Sequence, residues 1–324
     1  MMPTRTRWAV LGTGYLAESA LPDLRRTDNV EVVAVGSRDA ERAAGFAHRW
    51  GIPRCYGSYQ ALFASGGFDV AYIGTPPSTH APLARQALEN GSHVLVEKPF
   101  TLNSDEASAL ACLARERGLF LMEAMWTRFN PAIRAASKLI ADGAIGDVTT
   151  VHADFGLRLP AHHNAYDAAL GAGAFYDLGI YNVAFAHHVL GTPDRVEAWG
   201  TLSPEGFELT GSVYLGYPVP RFAQLTVSMI SRMSPVARVG GTEGEIIIGP
   251  TFLNPRSYEL VRDERERFTV ELEGAGWVPM FREVSEAVLS GRTEHDANPL
   301  ADSIAVMRTM DAIRRGIAGG ERFA

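Results

Sequence analysis

The chain has 324 residues, of which 46% are hydrophobic and 21% are charged, so it is long enough for two domains with substantial cores. Its formal net charge of −7 disfavours the phosphate-neutralising surface of a nucleic-acid-binding protein. No segment reaches membrane-spanning length and residues 1–7 lack the apolar run of a secretory signal, so we expect a cytoplasmic protein without a membrane partner. Cys55 and Cys112 fit no disulfide framework or metal site, and we expect both to be small buried residues.

Short apolar runs alternate with amphipathic, helix-length segments from Trp8 to about Glu123. This alternation is typical of a parallel sheet with crossover helices, and the runs are short enough for strands buried on both faces. The predicted strands are residues 8–11, 30–35, 70–73, 93–96 and 120–122. The predicted helices are residues 15–25, 40–49, 79–89 and 104–117. Together they predict a doubly wound α/β domain over residues 1–124.

The pattern changes after Trp126, where a predicted helix over residues 131–141 leads into segments of alternating character. The predicted strands there are residues 148–155, 212–215, 222–230, 245–248 and 268–272. Strands that follow one another without helices favour a largely antiparallel sheet. Further helices are predicted over residues 174–190, 280–290 and 299–316. We therefore expect a second domain over residues 125–324.

A glycine-rich turn, Gly12-Thr13-Gly14-Tyr15-Leu16-Ala17, follows the first predicted strand and opens the first helix. This is the context that a dinucleotide-binding fingerprint requires. Gly12 permits the tight turn, Gly14 lets a pyrophosphate approach backbone N–H groups, and Ala17 allows close packing of helix on strand. The alternative is a glycine-rich strand–helix turn that binds nothing.

The second strand ends in Ser37-Arg38, where an NAD-binding protein usually carries an acidic residue for the ribose 2′-hydroxyl. Ser37 can donate a hydrogen bond, and the Arg38 guanidinium can pair with a 2′-phosphate. This favours NADP as the cofactor, with NAD possible. The alternative is a solvated arginine followed by Asp39 as the cap of the next helix.

Two further strand ends carry polar residues at the same edge of the predicted sheet. One is the loop Gly74-Thr75-Pro76-Pro77-Ser78-Thr79-His80, which we expect beside the nicotinamide half of the cofactor. The other is Glu97-Lys98-Pro99, which places a lysine where cofactor and substrate would meet. Considered alone, a lysine after a strand is usually a solvated surface group.

The segment Gly171-Ala172-Gly173 runs into a predicted helix with Asp177 and Tyr181 four positions apart, on one face. A nearby lysine would favour the phenolate of a tyrosine and make it a usable proton shuttle. The alternative is a helix whose aromatic residues pack in a core. His187 and His188 are adjacent on the same predicted helix and face different directions, so we expect no metal site.

These separated motifs resemble the glucose–fructose oxidoreductase, inositol dehydrogenase and rhizopine-catabolism (Gfo/Idh/MocA) superfamily of NAD(P)-dependent oxidoreductases. Residues 122–131 and the segment from Asn298 to Met307 are similar to its branch of dimeric dihydrodiol dehydrogenases and NADP-dependent D-xylose dehydrogenases. The resemblance implies an N-terminal NADP-binding Rossmann domain, residues 1–124. It also implies a C-terminal substrate-binding and oligomerisation α+β domain, residues 125–324, on an open, mostly antiparallel sheet. A homodimer or homotetramer is expected.

The resemblance further implies hydride transfer between the nicotinamide and a secondary alcohol or carbonyl of a sugar, polyol or cyclic vicinal diol. Tyr181 would be the general acid/base, assisted by Lys98, whose bond to Pro99 would be cis. Lys98 as the base, tuned by Asp177, is the alternative. The expected cofactor-binding residues are Gly12, Thr13, Gly14, Tyr15, Leu16, Ser37, Arg38, Thr75, Pro76, His80, Glu97, Lys98 and Arg128. The expected substrate-binding residues are Lys98, Trp126, His163, Asp177 and Tyr181.

Two other functions are compatible with such a fold. An NAD-dependent glycosidase would use a tightly held NAD, which the Ser37-Arg38 strand end disfavours. A non-catalytic NADP-sensing regulator would not need both Lys98 and Tyr181. The alanine in Gly171-Ala172-Gly173, where three glycines are common, affects the expected substrate more than the reaction class.

Overall fold

The computed structural model describes residues 4–319. They form two compact units, the first comprising the chain up to Trp126 together with Glu273–Ser303, and the second comprising Thr127–Leu272 and the chain from Ile304 onward. The predicted boundary near residue 124 lies close to the end of the first long segment. The predicted second domain, residues 125–324, differs from the structure because Glu273–Ser303 groups with the first unit.

A parallel sheet of six described strands, in the order β3-β2-β1-β4-β5-β6, organises the first unit. Its strands are β1 (Thr6–Leu11), β2 (Val30–Gly36), β3 (Arg54–Tyr56), β4 (Val70–Ile73), β5 (His93–Val96) and β6 (Leu121–Glu123). Its helices are α1 (Tyr15–Arg26), α2 (Ala40–Trp50), α3 (Tyr59–Ser65), α4 (His80–Glu89) and α5 (Ser104–Arg117). The strand order reverses between β1 and β4, so the carboxyl ends of these strands border the crevice where doubly wound sheets bind ligands. The predicted Rossmann architecture is confirmed.

The burial of the first unit explains which of its elements the sequence predicted. Val94, Leu95 and Val96 of β5 are fully buried, as expected of a parallel strand covered on both faces. The short edge strand β3 and helix α3 were not predicted, because β3 has three residues and no apolar run. Cys55 of β3 and Cys112 of α5 are exposed. The expectation that both are buried was wrong, because β3 is a sheet edge and Cys112 lies off the buried stripe of α5.

The segment Glu273–Ser303 packs on the first unit through helix α8 (Val278–Leu289). The buried Phe281 ring of α8 meets the rings of Trp8 and Tyr72 edge-on, at centroid distances of 5.8 and 5.7 Å. The buried carboxylate of Asp23 in α1 accepts hydrogen bonds from the N–H groups of Ala275 and Trp277, each at 2.9 Å. These contacts explain why this late segment belongs with the N-terminal sheet.

A mostly antiparallel sheet of eight described strands, in the order β14-β13-β12-β11-β7-β10-β9-β8, organises the second unit. The central β7/β10 pair is parallel, and the other pairs are antiparallel. Its strands are β7 (Val148–Gly156), β8 (Arg195–Leu202), β9 (Glu208–Gly216), β10 (Phe222–Ser228), β11 (Met233–Gly241), β12 (Glu245–Ile248), β13 (Ser257–Val261) and β14 (Arg265–Thr269). Its helices are α6 (Pro131–Ala141), α7 (Ile180–Leu190) and, from residue 304 onward, α9 (Leu300–Gly319). None of the helices in residues 4–319 is long and apolar enough to span a bilayer.

Helices cover one face of the second sheet and leave aromatic side chains on the other. Helix α7 packs against β7 and β10, α6 packs against β12 and β13, and Gly316 of α9 lies against Ala198 of β8. Side chains alternate along each strand, so Val213 and Leu225 point into this covered face. The outward-pointing side chains that define the open sheet face are Trp199, Tyr214, Phe222, His152 and Arg238.

We predict that Asp23→Ala lowers the free energy of unfolding by about 2–4 kcal/mol, because it removes a buried carboxylate and leaves the backbone N–H groups of Ala275 and Trp277 without a charged acceptor. Asp28→Ala is the matched control, since the Asp28 side chain is 79% exposed and its ion pair with Arg282 is long, at 3.5 Å. We expect the control to lose less than about 1 kcal/mol. Urea denaturation of the two variants measures the difference. Equal losses would contradict the anchoring role of Asp23.

Candidate active site

The glycine-rich turn joins β1 to α1 at the crevice of the first sheet. Gly12 has a φ of +105°, and a Cβ on it would lie 2.8 Å from the carbonyl oxygen of Gly74. The Gly74 N–H in turn donates to the Leu11 carbonyl at 3.0 Å. Only glycine therefore allows the β1 and β4 loops to come this close.

The turn presents a helix N-terminus to open space. Gly14 occupies the N-cap position of α1 without a side-chain capping hydrogen bond, and no described atom lies within 4 Å of where its Cβ would be. Thr13 precedes this position, and Tyr15 and Leu16 begin the first turn of α1. The first-turn N–H groups of a helix have no intrahelical acceptor and favour an anion. The predicted fingerprint residues thus fit a dinucleotide pyrophosphate.

The end of β2 lacks a carboxylate that is placed for a ribose hydroxyl. Ser37 Oγ accepts a hydrogen bond from Asp39 N–H at 3.3 Å and lies 3.5 Å from Thr13 Oγ1. Asp39, the first acidic residue after β2, caps α2 by accepting the Arg42 N–H at 3.0 Å. Arg38 is exposed, and its charge opposes the upward shift that burial gives the pKa of Tyr59. The strand end therefore offers a hydroxyl and a guanidinium.

His80 connects the loop after β4 to the turn after β5. It is buried, and its two ring nitrogens lie 2.8 Å from the carbonyl oxygens of Thr75 and Pro99. Burial lowers the pKa of His80, and the charge of Lys98 adds to this, so the neutral ring donates to one carbonyl at a time. The Lys98-Pro99 peptide bond is cis, as the resemblance implied.

Two carboxylates lie buried beside this turn, at the ends of β5 and β6. Glu97 accepts a hydrogen bond from the Tyr72 hydroxyl at 2.7 Å, and Glu123 accepts one from Phe100 N–H at 3.0 Å. Burial raises the pKa of Glu97 to about 7, against the opposing effects of Tyr72 and Lys98. The sequence analysis did not single out Tyr72 or Glu123 as site residues. The sequence signal that could have identified these two residues is a side chain with a polar atom in an otherwise apolar strand.

Trp126 lies at the end of the first unit's long segment. Its ring stacks on that of Trp277, with a centroid distance of 4.8 Å and an interplanar angle of 28°. Trp277 belongs to the late segment of the same unit and donates its backbone N–H to Asp23. This contact gives Trp126 a packing role in the first unit. Its predicted contact with substrate stays a prediction.

The second unit carries Asp177 and Tyr181 on a helix that begins irregularly. Residues Phe175–Gly179 form a π-helical turn, and α7 continues from Ile180. The predicted helix over residues 174–190 is confirmed, and its first part is the π-helical turn. Asp177 lies in the π turn and donates its N–H to the Gly173 carbonyl at 3.2 Å. π turns of this kind are often found at functional sites.

Tyr181 opens a stripe of α7 residues that lines a small cavity in the second unit. Its 8% exposed side chain packs against Phe155, with a ring centroid distance of 6.3 Å. The cavity is lined by Thr127, Arg128, Ile133, Tyr181, Ala184, Phe185, His188 and Phe252. Arg128 and Tyr181 therefore lie near each other, although the sequence analysis assigned Arg128 to the cofactor.

Tyr176 lies five positions before Tyr181, and Arg314 contacts both its ring and its hydroxyl. The guanidinium of Arg314 lies 4.5 Å from its ring centroid and donates to its hydroxyl, and Arg314 also pairs with the buried Glu208 at 2.9 Å. Burial raises the pKa of Tyr176 and opposes the phenolate form. Tyr176 is therefore held by Arg314 as part of the packing of the second unit.

The histidines of the second unit have local structural roles. His163 Nδ1 accepts the Ala165 N–H at 3.2 Å and caps a short 3-10 turn. His187 is buried beside Thr309, whereas His188 is exposed and lies 2.9 Å from Ser137 Oγ. No cluster of three His, Cys, Asp or Glu side chains occurs within residues 4–319 that is suited to a metal ion.

The structure places the predicted site residues in two sets. Those of the Rossmann sheet and Trp126 lie in the first unit, and Arg128, His163, Asp177 and Tyr181 lie in the second. Within the first unit, four of these segments follow the carboxyl ends of neighbouring strands. They are the glycine-rich turn after β1, Ser37-Arg38 after β2, the loop with His80 after β4 and the turn with Lys98 after β5. The described residues thus form one edge that fits a dinucleotide.

Two protein-family models match the chain. The model described as an oxidoreductase family with an NAD-binding Rossmann fold matches residues 6–125. The GFO/IDH/MocA C-terminal domain model matches residues 133–247.

Named relatives match almost the whole chain. A trans-1,2-dihydrobenzene-1,2-diol dehydrogenase from Oryctolagus cuniculus is 36% identical over 322 residues, which are 95% of this chain and 97% of the relative. The Homo sapiens enzyme of that name is 34% identical over 327 residues, or 96% of each chain.

Solved structures with the same fold include the 3-ketoreductase KijD10 from Actinomadura kijaniata in complex with NADP and TDP-benzene. It has a TM-score of 0.88 and 30% identity, over 97% of this chain and 98% of that one. An aldose–aldose oxidoreductase from Caulobacter crescentus, complexed with glycerol, has a TM-score of 0.88 and 25% identity, over 98% of both chains.

Proposed function

The chain belongs to the GFO/IDH/MocA family of oxidoreductases, and we propose that it is an NADP-dependent dehydrogenase or reductase. Its substrate would be a secondary alcohol, or the matching carbonyl, of a sugar, polyol or cyclic vicinal diol. The dihydrodiol dehydrogenase, 3-ketoreductase and aldose–aldose oxidoreductase names of its relatives support this class. The observation that carries the proposal is the shared edge of the first sheet, where the glycine-rich turn, Ser37-Arg38 and the Lys98 turn come together.

The preference for NADP rests on the end of β2. Asp39 is engaged as a helix cap, so no carboxylate is placed there to select a ribose hydroxyl and repel a phosphate. The exposed guanidinium of Arg38 offers a planar pair of donors for a 2′-phosphate. The NADP bound to the related ketoreductase KijD10 agrees with this preference.

The proposed chemistry uses Tyr181 and Lys98 as a pair. When bound, NADP supplies the hydride acceptor or donor at its nicotinamide. Tyr181 removes the hydroxyl proton of the substrate during oxidation and returns it during reduction. The Lys98 ammonium favours the phenolate of Tyr181 and donates a hydrogen bond to the substrate oxygen. The alternative assignment makes Lys98 the base and Asp177 the group that tunes it.

The outer aromatic side chains of the second sheet support a homodimer. On the open sheet face, Trp199 is 50% exposed and Tyr214 is 38% exposed, and Tyr214 stacks on Phe222 at 5.7 Å. Exposed aromatic patches of this kind mark interaction sites. A second copy that packs on the same face would form the self-complementary contact of a C2 dimer.

We predict that Lys98→Ala and Tyr181→Phe each lower kcat/KM with NADP by about 10²–10⁴-fold, because each removes a group from proton transfer. Matched controls are Lys138→Ala, at an exposed ion pair, and Tyr258→Phe, in β13, and both should retain the wild-type rate. The measurement is absorbance of reduced nicotinamide with a panel of aldoses, inositols and cyclic vicinal diols. If the Tyr181→Phe protein is fully active and the Lys98→Ala protein is inactive, the general base would be assigned to Lys98.

We predict that Arg38→Ala raises KM for NADP by about 10–100-fold, because it removes a charge-assisted contact of about 1.5–3 kcal/mol, and leaves KM for NAD unchanged. Arg85→Ala is the matched control, because Arg85 is an exposed arginine of α4 that pairs with Glu89. Steady-state kinetics with both cofactors measures the effect. An equal increase for NAD and NADP would contradict a 2′-phosphate contact.

We predict that Trp199→Glu weakens dimerisation by at least about 30-fold, since it places a charge in the proposed interface at its most exposed aromatic side chain. Val219→Glu is the control, because Val219 is 95% exposed in the turn between β9 and β10. Sedimentation velocity over a range of protein concentrations measures the dissociation. A monomeric wild-type protein, or a Trp199→Glu protein that dimerises normally, would overturn the proposed interface.

A further inference from the structure

The turn that carries Lys98 lies on a buried pair of carboxylates in the first unit. The exposed fraction of Glu97 is 1% and that of Glu123 is 2%. Strands β5 and β6 are neighbours, and Val96 pairs with Glu123 in their register, so the two glutamates lie at the ends of adjacent strands. Carboxylates are rarely buried to this extent unless their charge is compensated.

The two carboxylates have different hydrogen-bond partners. Glu123 accepts from the Phe100 N–H at 3.0 Å and from the Ser303 hydroxyl at 2.7 Å. Glu97 accepts from the Tyr72 hydroxyl at 2.7 Å, while the Lys98 N–H lies at a longer 3.3 Å. The short contact of Glu97 is thus with a phenol, which can also accept a hydrogen bond if Glu97 carries a proton.

The groups around Glu97 act on its pKa in opposite directions. The titratable groups that act on it are Tyr72 from β4, Lys98 on the next residue and Glu123 from β6. Burial and the repulsion of Glu123 favour the protonated form, whereas Lys98 and the hydrogen bonds favour the carboxylate. The result is a pKa of about 7, so both forms of Glu97 are populated near neutral pH.

The proposed cofactor changes charge at the same edge of the sheet. The oxidised nicotinamide ring is a cation, and the reduced ring is neutral. We propose that Glu97 is the charge partner of the nicotinamide, and that it releases a proton to solvent when the oxidised cofactor binds and keeps it when the reduced cofactor binds. This inference rests on the proposed NADP site.

The sign of the effect follows from linkage. A cation near Glu97 favours the carboxylate, so binding of NADP⁺ lowers the pKa of Glu97 and becomes tighter as the pH rises through about 7. The Kd ratio of NADP⁺ to NADPH should therefore fall as the pH rises. For a downward pKa shift of about one to two units, the ratio falls about five- to tenfold between about pH 6 and pH 8. Titration of the 2′-phosphate affects both forms and cancels in the ratio.

The test is the pH dependence of this Kd ratio in the full-length protein, with NADP⁺ and NADPH as the probes. Isothermal titration calorimetry in buffers of different ionisation enthalpy gives both Kd and the number of protons released. The variants are Glu97→Gln and Tyr72→Phe. The matched control is Glu89→Gln, which removes an exposed carboxylate of α4 and should behave as the wild type.

The two variants have distinct expected outcomes. Glu97→Gln should show a flat ratio, held at the low-pH limit of the wild type, and should bind NADP⁺ about 10- to 100-fold more weakly than the wild type at about pH 8, for the same pKa shift of about one to two units. A glutamine can keep both hydrogen bonds if the Tyr72 hydroxyl reverses, so its fold should persist. Tyr72→Phe removes a donor to the carboxylate, so its transition should move to higher pH.

Three results would overturn the inference. The first is an unchanged slope in Glu97→Gln, which would assign the pH dependence to Lys98 or another group. The second is a Tyr72→Phe protein whose Kd ratio changes at the same pH as that of the wild type. This variant also tests the inference if Glu97→Gln does not fold. The third is a flat ratio in a wild-type protein that binds both cofactors. A wild-type protein that binds neither cofactor would overturn the proposed function itself.

Discussion

Buried charge at the carboxyl ends of β5 and β6 is the constraint on which the first unit's site depends. Glu97 and Glu123 accept backbone N–H groups on either side of the cis Lys98-Pro99 bond, and His80 contacts the Pro99 carbonyl from the loop after β4. Three side chains therefore contact the backbone of residues 98–100, the turn that carries Lys98. Because interactions inside a protein are less screened than at its surface, these few groups dominate the local electrostatics.

In the second unit, an ion pair and close packing hold the start of the helix that carries Asp177 and Tyr181. Arg314 pairs with the buried Glu208 and donates to the hydroxyl of Tyr176, which lies in the same π turn as Asp177. Gly173, with a φ of +129°, lets the Glu208 carboxylate approach the backbone, where a Cβ would lie 2.3 Å from Oε2. One tyrosine thus anchors the start of the helix, which leaves Tyr181, next to a cavity, for the proposed proton transfer.

The elements that the sequence predicted best are those that carry a clear local signal, either a buried apolar run or a pair of helix-end residues. Strand β5 and helix α5 have the predicted bounds, because three of the four β5 residues are apolar and fully buried, and α5 lies between the Asn103 cap and Gly118. Strand β8 was not predicted, since its outward side chains interrupt the apolar pattern. Strand β11 contains Pro235 and two glycines, which conceal an extended segment whose partners come from distant parts of the chain.

The same limit applies to the site. Local spacing was enough to single out Gly12, Lys98 and Tyr181, because a turn, a strand end and a helix face are local features. The partnership of Tyr72 with Glu97 joins adjacent strands that are 25 positions apart in the chain, and sequence spacing does not reveal it. The grouping of Glu273–Ser303 with the first unit depends likewise on Asp23, about 250 positions away. Long-range pairing of polar groups is the part of the structure that the residue pattern leaves open.

On the proposed function, the two ends of the cofactor meet different physical environments. The exposed Arg38 would recognise a phosphate at the surface, where salt screens the interaction and a single substitution changes the preference. The nicotinamide end would lie beside Lys98 and the buried Glu97, where a unit of charge has a larger effect because water is excluded. On this proposal, one surface side chain, Arg38, would decide between NAD and NADP. The balance between oxidised and reduced cofactor would be set by the buried cluster, and the two properties could then change independently.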